Sequence, residues 1–282
     1  MPCAADLPRV GPPAPARVAF IDSGIGLLGY ADALQSLRPD LELVLALDPD
    51  HMPYGPRPHE EVRELVLALA RTAAMHQPNA IVVACNTASV HGLEALRGEF
   101  EPDVHLVGTV PAIRPAASTG GPVAIWSTAA TSTSGYLRGL VDAFASDIET
   151  HSIAALGLAE AIEQGDPHAI DRTIAAAVAA SPGNVSALVL GCTHYGLVGD
   201  RIAEAWSRRT GADVTIFDSP VAVARQTLRR LGLEPDEQAA PSATAPTVLL
   251  SGRPGHLPER LAAYPPGARL LGRLAPRPTL TS

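Results

Sequence analysis

Short apolar runs recur along the chain, each closed by small or polar residues. Runs of this length without internal alternation predict strands buried on both faces, the habit of parallel sheets. They fall at 17–21, 41–47, 80–84, 104–107, 122–126, 187–190, 214–217 and 247–251. Between them the apolar positions switch to helical spacing. In 60–76, for example, Val62, Leu65, Val66, Leu69, Ala70 and Ala73 line one face. The same spacing predicts helices over 28–37, 88–98, 136–145, 158–163, 168–180, 201–209 and 221–231. Strands alternating with helices predict an α/β fold with mostly parallel sheets. Four stretches interrupt the pattern. Residues 1–16 read as a loose Pro/Ala-rich tail, 108–115 as irregular, 234–246 as a polar linker, and the Pro- and Gly-rich end after Pro265 as peripheral.

Two of the apolar runs match each other. Ala80-Ile81-Val82-Val83-Ala84 leads into Cys85-Asn86-Thr87, and Ala187-Leu188-Val189-Leu190-Gly191 leads into Cys192-Thr193-His194. Both cysteines are thereby expected where a buried strand ends, the edge at which open α/β sheets bind ligands. The strand 17–21 ends in Asp22-Ser23, and the strand 122–126 ends in a run of hydroxyls, 127–134, that includes Thr128 and Thr131. Asp22 precedes Cys85 by 63 positions and Thr128 precedes Cys192 by 64. This self-similarity predicts two pseudo-symmetric α/β units, and if they face each other the two cysteines approach one cleft from opposite sides. The expected division is a tail at 1–16, a first unit of 17–97 plus 210–282, and a second unit of 98–209.

Composition narrows the chemistry. The 282 residues contain no lysine; all 21 basic residues are Arg. A pyridoxal phosphate Schiff base and a P-loop both need Lys, so both are excluded. The net charge of −8 gives no electrostatic footprint for nucleic acid or an acidic membrane. The three cysteines, Cys3, Cys85 and Cys192, form no Cys-x-x-Cys pair, which argues against a disulfide framework or a four-ligand zinc site. No metal is expected, and Cys3 is given no role. With no long apolar span and no signal-peptide pattern, the expectation is a cytoplasmic protein with reduced thiols and no membrane association.

Two thiols approaching one carbon from opposite faces suit a two-base reaction that inverts a stereocentre. A free thiol is only slightly ionised at neutral pH, so each needs help. Asp22 is the candidate partner of Cys85 and His194 that of Cys192, with a helix N-terminus behind each thiol adding to the effect. Each residue also has a plainer reading: a buried Cys filling space, a strand-end His bonded to backbone, an Asp capping a helix. Asn86, Thr87 and Thr193 supply neutral hydrogen bonds to a carboxylate. The turn Met52-Pro53-Tyr54-Gly55-Pro56-Arg57 is either a rigid structural loop or a place where the Tyr54 and Gly55 amides face a ligand carboxylate.

Several stretches together resemble the aspartate/glutamate racemase superfamily, and within it the glutamate racemases. They are Asp22-Ser23-Gly24-Ile25-Gly26, Pro53-Tyr54-Gly55-Pro56-Arg57, Ala84-Cys85-Asn86-Thr87-Ala88-Ser89, Val110-Pro111-Ala112-Ile113-Arg114-Pro115-Ala116, Gly191-Cys192-Thr193-His194-Tyr195, Phe217-Asp218-Ser219 and Ser251-Gly252. The resemblance implies a cofactor-independent enzyme, with its active site in the cleft between the two units, that interconverts L- and D-glutamate for peptidoglycan synthesis and cell-wall biogenesis. It implies Cys85 and Cys192 as the two bases, assisted by Asp22 and His194. It implies Ser23, Tyr54, Gly55, Asn86, Thr87, Thr128, Thr131 and Thr193 as ligands of the small-molecule amino-acid substrate. A homodimer is expected on the same ground alone. The chain departs from the family pattern at Leu27, at Asp48-Pro49, at Gly196 and over 152–160, where Glu160 is a poorly aligned match for a family Glu. Two alternatives therefore stand: turnover of another small acid of aspartate, maleate or hydantoin type, and a ligand-binding member without catalysis.

Overall fold

The computed structural model describes residues 16–274; Cys3 and the tail expected before Ala16 lie outside the described residues. The first sheet begins with β1 (Arg17–Asp22), β2 (Glu42–Leu47), β3 (Ala80–Val83) and β4 (His105–Gly108). The second is built from β5 (Val123–Ser127), β6 (Thr150–Ala154), β7 (Ala187–Leu190) and β8 (Thr215–Phe217). The chain then returns to the first sheet as β9 (Thr247–Leu250) and β10 (Arg253–Gly255). The orders are β10-β9-β2-β1-β3-β4 and β6-β5-β7-β8. All neighbours run parallel except β9 and β10.

The strands β2-β1-β3-β4 and β6-β5-β7-β8 thus share one order, and the likeness extends to single bonds. Ala84 donates its amide to the Ile21 carbonyl (2.9 Å), and Gly191 donates to Trp126 (2.6 Å). Asp48 donates to Asp22 (3.1 Å), and Ala155 donates to Ser127 (2.9 Å). The repeat in the sequence is therefore a repeat in space. Residues of β1, β2, β3, β5 and β7 are almost wholly buried because helices cover both faces.

Those helices are α1 (Leu27–Leu37), α2 (His59–Ala74), α3 (Asn86–Phe100), α4 (Ile113–Ala117), α5 (Ala129–Ser132), α6 (Gly135–Phe144), α7 (Leu158–Gln164), α8 (Pro167–Ala180), α9 (Gly199–Thr210), α10 (Pro220–Leu231) and α11 (Pro265–Leu270). One apolar core runs through both sheets, from Val18 and Phe20 to Trp126, Leu188 and Tyr195. The chain crosses between sheets after β4 and after β8. Thr109 and Ser219, just past these points, bond to each other (2.9 Å) and to the Tyr30 hydroxyl of α1 (3.0 and 2.8 Å).

Several expectations need correction. The range 98–209 expected for the second unit contains β4, which pairs with β3, and omits β8, which pairs with β7. The stretch 108–115 is not wholly irregular, since α4 begins at Ile113. The hydroxyl run holds α5, capped by Thr128, and Ser134 accepts the Leu137 amide (3.1 Å) to start α6. The end after Pro265 is not peripheral as far as Leu274: α11 buries Pro266, Gly267 and Ala268, and Arg269 grips Asp32 of α1 at 2.5 and 2.7 Å, while residues 275–282 lie outside the described residues. Prolines that read as breakers serve as the first residues of this helix, where no amide donor is needed.

Candidate active site

The two cysteines sit at equivalent places but not on equivalent supports. Cys85 is the residue before α3, whose first turn is Asn86-Thr87-Ala88. After Cys192 no α-helix follows directly; a 3₁₀ turn (Tyr195–Val198) intervenes before α9. The expected helix N-terminus behind each thiol is thus present for Cys85 alone.

Both thiols line one small cavity of about 30 Å³. Ser23, Tyr54, Gly55 and Asn86 line it, with Thr87 on the same wall. From the second sheet come Thr128, Thr131, Thr193 and His194. Asp22 does not reach the surface of the cavity. It lies beneath, 1 % exposed, where Ser23 Oγ donates to its Oδ1 (3.2 Å) and Thr193 Oγ1 to its Oδ2 (3.3 Å). The structure thereby brings together every site residue expected from the sequence. Met52, Pro53, Ala159 and Gly191 complete the lining.

The electrostatics of the two sides differ. Burial raises the Asp22 carboxyl to about 6; His194 opposes this and Glu163 adds to it. Burial, then the charge of Asp22, pushes the Cys85 thiol up, with the Ala88 amide pulling the other way. Ser23 Oγ stands 3.9 Å from Cys85 Sγ. Cys85 at rest is therefore a thiol beside a carboxylate.

On the other side, His194 is 3 % exposed, with Nδ1 3.9 Å from Cys192 Sγ and Nε2 2.9 Å from Glu163 Oε2. Burial pulls the imidazole down. Its hydrogen bonds to Cys192 and Glu163, and the charges of Cys192 and Asp22, overcome this and lift it well above 6.5. Burial likewise pushes Glu163 up, but His194 and the Ile25 amide hold it below its ordinary value. A carboxylate–imidazolium–sulfur chain results. Glu163 was missed by sequence reasoning, which weighed Glu160. Glu160 is exposed, whereas the Glu163 side chain, near the C-terminal end of α7, is 15 % exposed. The apolar spacing of Leu158, Ala159, Ala161 and Ile162 was the available signal.

Three hydrogen bonds join the two sides. Ile25 N donates to Glu163 Oε2 (2.9 Å), Thr193 Oγ1 to Asp22 Oδ2 (3.3 Å), and Asn86 Nδ2 to the Gly191 carbonyl (2.8 Å). The glycines of the first turn permit this closeness. A Cβ on Gly24 would overlap Glu163 Oε2 and stand 3.0 Å from His194 Nε2; one on Gly26 would overlap Thr193 Oγ1 and stand 2.6 Å from Asp22 Oδ2. Asn86 Oδ1 is buried and has no partner among the described residues. Because Nδ2 is fixed by Gly191, this free oxygen is an acceptor held ready at the cavity. Among the described residues no group of three or more His, Cys, Asp or Glu side chains could hold a metal ion. No helix among them is long and apolar enough to cross a membrane.

Paired parallel sheets of one topology, each delivering a cysteine to a shared cavity, define a two-unit α/β protein with a two-thiol centre. Residues 29–227 match the family model described as Asp/Glu/Hydantoin racemase, and the chain belongs to that family. It is 36 % identical over 222 residues to a glutamate racemase of Pseudomonas entomophila (strain L48), covering 77 % of this chain and 82 % of that protein. Over 244 residues it is 32 % identical to one of Herpetosiphon aurantiacus, covering 85 % and 94 %. Among solved structures it resembles Escherichia coli glutamate racemase in complex with L-glutamate and the activator UDP-MurNAc-Ala (TM-score 0.71, 30 % identity, 91 % of this chain and 92 % of that one).

Proposed function

We propose that this protein interconverts L- and D-glutamate by moving the Cα proton between Cys85 and Cys192. The observation that carries the reading is the pair of thiols on one cavity, each with a different acid–base partner. One thiolate takes the Cα proton and the opposite thiol returns one to the other face, so no net proton is consumed. In one direction Cys192 is the base, with the His194–Glu163 pair as its proton partner, while burial keeps Cys85 protonated. In the reverse direction Cys85 is the base, and Asp22 beside it accepts the thiol hydrogen directly or through Ser23. The free Asn86 Oδ1 accepts from the substrate ammonium. The amides and hydroxyls of Thr87, Thr193, Thr128 and Thr131, with the Tyr54 and Gly55 amides, take the carboxylates. All of these are neutral donors.

The segment that departs most from the family pattern, 152–160, contributes only Ala159 to the cavity lining, which favours glutamate over a different acid. The two sheets are proposed as the centres of two domains crossing over near Thr109 and Ser219. The enzyme is placed in the cytoplasm, supplying D-glutamate for peptidoglycan. Homodimer formation rests on resemblance and is checked by light scattering. The test of function is incubation with L-glutamate in deuterated water without added cofactor, followed by NMR and circular dichroism. Loss of the Cα proton signal with decay of optical activity supports the reading. An unchanged spectrum with glutamate, and exchange with aspartate or a hydantoin instead, overturns it.

A further inference from the structure

We infer that Asp48 is a positioning residue for substrate binding, acting through Tyr54; the inference rests on the racemase reading above. Asp48 follows β2 and is 3 % exposed. Its amide donates to the Asp22 carbonyl (3.1 Å), which fixes it to the strand end that carries Asp22. Its carboxyl faces the other way. Oδ2 accepts the Tyr54 hydroxyl at 2.7 Å and Oδ1 stands 2.8 Å from His51 Nδ1. Facing a carboxylate, that ring nitrogen carries the hydrogen. The Asp48 carbonyl also accepts the His51 amide (3.2 Å). One residue therefore joins Asp22 to both ends of the turn 51–54.

That turn brings Met52, Pro53, Tyr54 and Gly55 to the cavity. Gly55 lies against the second unit, where an added Cβ would meet Thr128 Oγ1 at 3.6 Å. Tyr54 is 1 % exposed, and burial with the charge of Asp48 pushes its hydroxyl up, so it stays a donor. Because that hydroxyl is committed to Asp48, the turn meets substrate with its backbone amides and the ring, not the phenol. The pseudo-symmetry isolates this role. Ala155 occupies the matching position in the second unit and makes the matching amide bond to Ser127, with no carboxyl at all. The fold therefore does not require a carboxyl there; the first unit carries one because a binding turn hangs from it.

The test compares Asp48→Ala, Asp48→Asn, Tyr54→Phe and the double variant Asp48→Ala/Tyr54→Phe in the full chain. Two readouts are used: steady-state racemisation in both directions, and amide hydrogen exchange of the peptide spanning 52–57. Asp48→Ala and Tyr54→Phe each raise KM about tenfold with kcat changed less than threefold, a split that fits roughly one lost hydrogen bond. The double variant is no worse than the poorer single, because both remove one interaction. Asp48→Asn stays near wild type: it keeps an acceptor for Tyr54 and turns its amide to His51. Exchange over 52–57 accelerates in Asp48→Ala and Tyr54→Phe but not in Asp48→Asn. Multiplying effects in the double variant, an unchanged KM in Asp48→Ala, or unchanged exchange overturns the inference. Exchange that responds as expected in a protein inert toward glutamate would support the positioning role and sink the glutamate reading instead.

Discussion

Glu163 Oε2 lies 2.9 Å from His194 Nε2 and accepts the Ile25 amide at the same distance, so one carboxylate oxygen serves both sides of the cleft. His194 is lifted well above 6.5 partly by this contact. A histidine raised in the folded state contributes stability that is full below its unfolded value and lost as pH rises through the folded one. Glu163→Gln lowers His194, so the imidazolium disappears at lower pH. The alkaline limb of the kcat/KM profile moves to lower pH, and activity near pH 8 falls about ten- to hundredfold. An unmoved limb would show that Glu163 does not support His194.

Asp22 presents the opposite sign. Its carboxyl is raised from 3.8 to about 6, chiefly by burial, so its ionised form costs stability once pH exceeds the unfolded value. The favourable contribution is complete below 3.8 and is lost as pH rises through about 6. Asp22→Asn therefore abolishes most turnover yet raises the melting temperature. The gain grows from pH 5 to pH 8 toward about 3 kcal/mol. Thermal scans of both proteins across that range check it; a gain that shrinks with pH would contradict the burial argument.

The proposed mechanism gives each thiol a separate half of the reaction. Cys85→Ala and Cys192→Ala each reduce racemisation at least about a thousandfold, because inversion needs both an acid and a base. Chiral assay of product from pure L- and pure D-glutamate measures this. Substantial turnover by either variant would exclude the two-thiol route.

Gly26→Ala is a steric test of how closely the two sides meet. The new methyl would overlap Thr193 Oγ1 and crowd Asp22 Oδ2 at 2.6 Å. Overpacking of this kind costs about 1–3 kcal/mol. Activity falls more than stability, since the displaced atoms belong to the site. Gly139→Ala, inside α6 with open space around it, is the control: activity stays unchanged and stability rises by about 0.5–1 kcal/mol.

Arg269→Ala probes the C-terminal helix. Its bidentate pair with Asp32 is almost fully buried, at 15 % and 3 % side-chain exposure. Removing one partner of a buried pair costs about 3 kcal/mol. Denaturant titration should show that loss, while kcat and KM stay near wild type.

Much of this architecture was legible in the chain because β1, β3, β5 and β7 are covered on both faces. Such strands read as uninterrupted apolar runs, and their ends located Asp22, Cys85, Thr128 and Cys192 together. The edge strand β6 was not legible. Thr150, His151 and Ser152 are polar and half-exposed, so neither a run nor a clean alternation marks it. Glu163 escaped for a different reason. Its meaning depends on Ile25 and His194, which approach it only through tertiary contact. The tether from Asp48 to Tyr54 is short in sequence, but nothing in the letters says where the phenol points.

The three hydrogen bonds across the cleft have a kinetic consequence. A cavity of about 30 Å³ has room for roughly one or two waters, far less than an amino acid. Admission therefore requires the two sides to part, breaking those bonds at about 1 kcal/mol each. Product leaves through the same opening whichever hand it has. The slowest step can thus be common to both directions, and turnover of the two mirror-image substrates would share one ceiling set by a hinge and not by either sulfur.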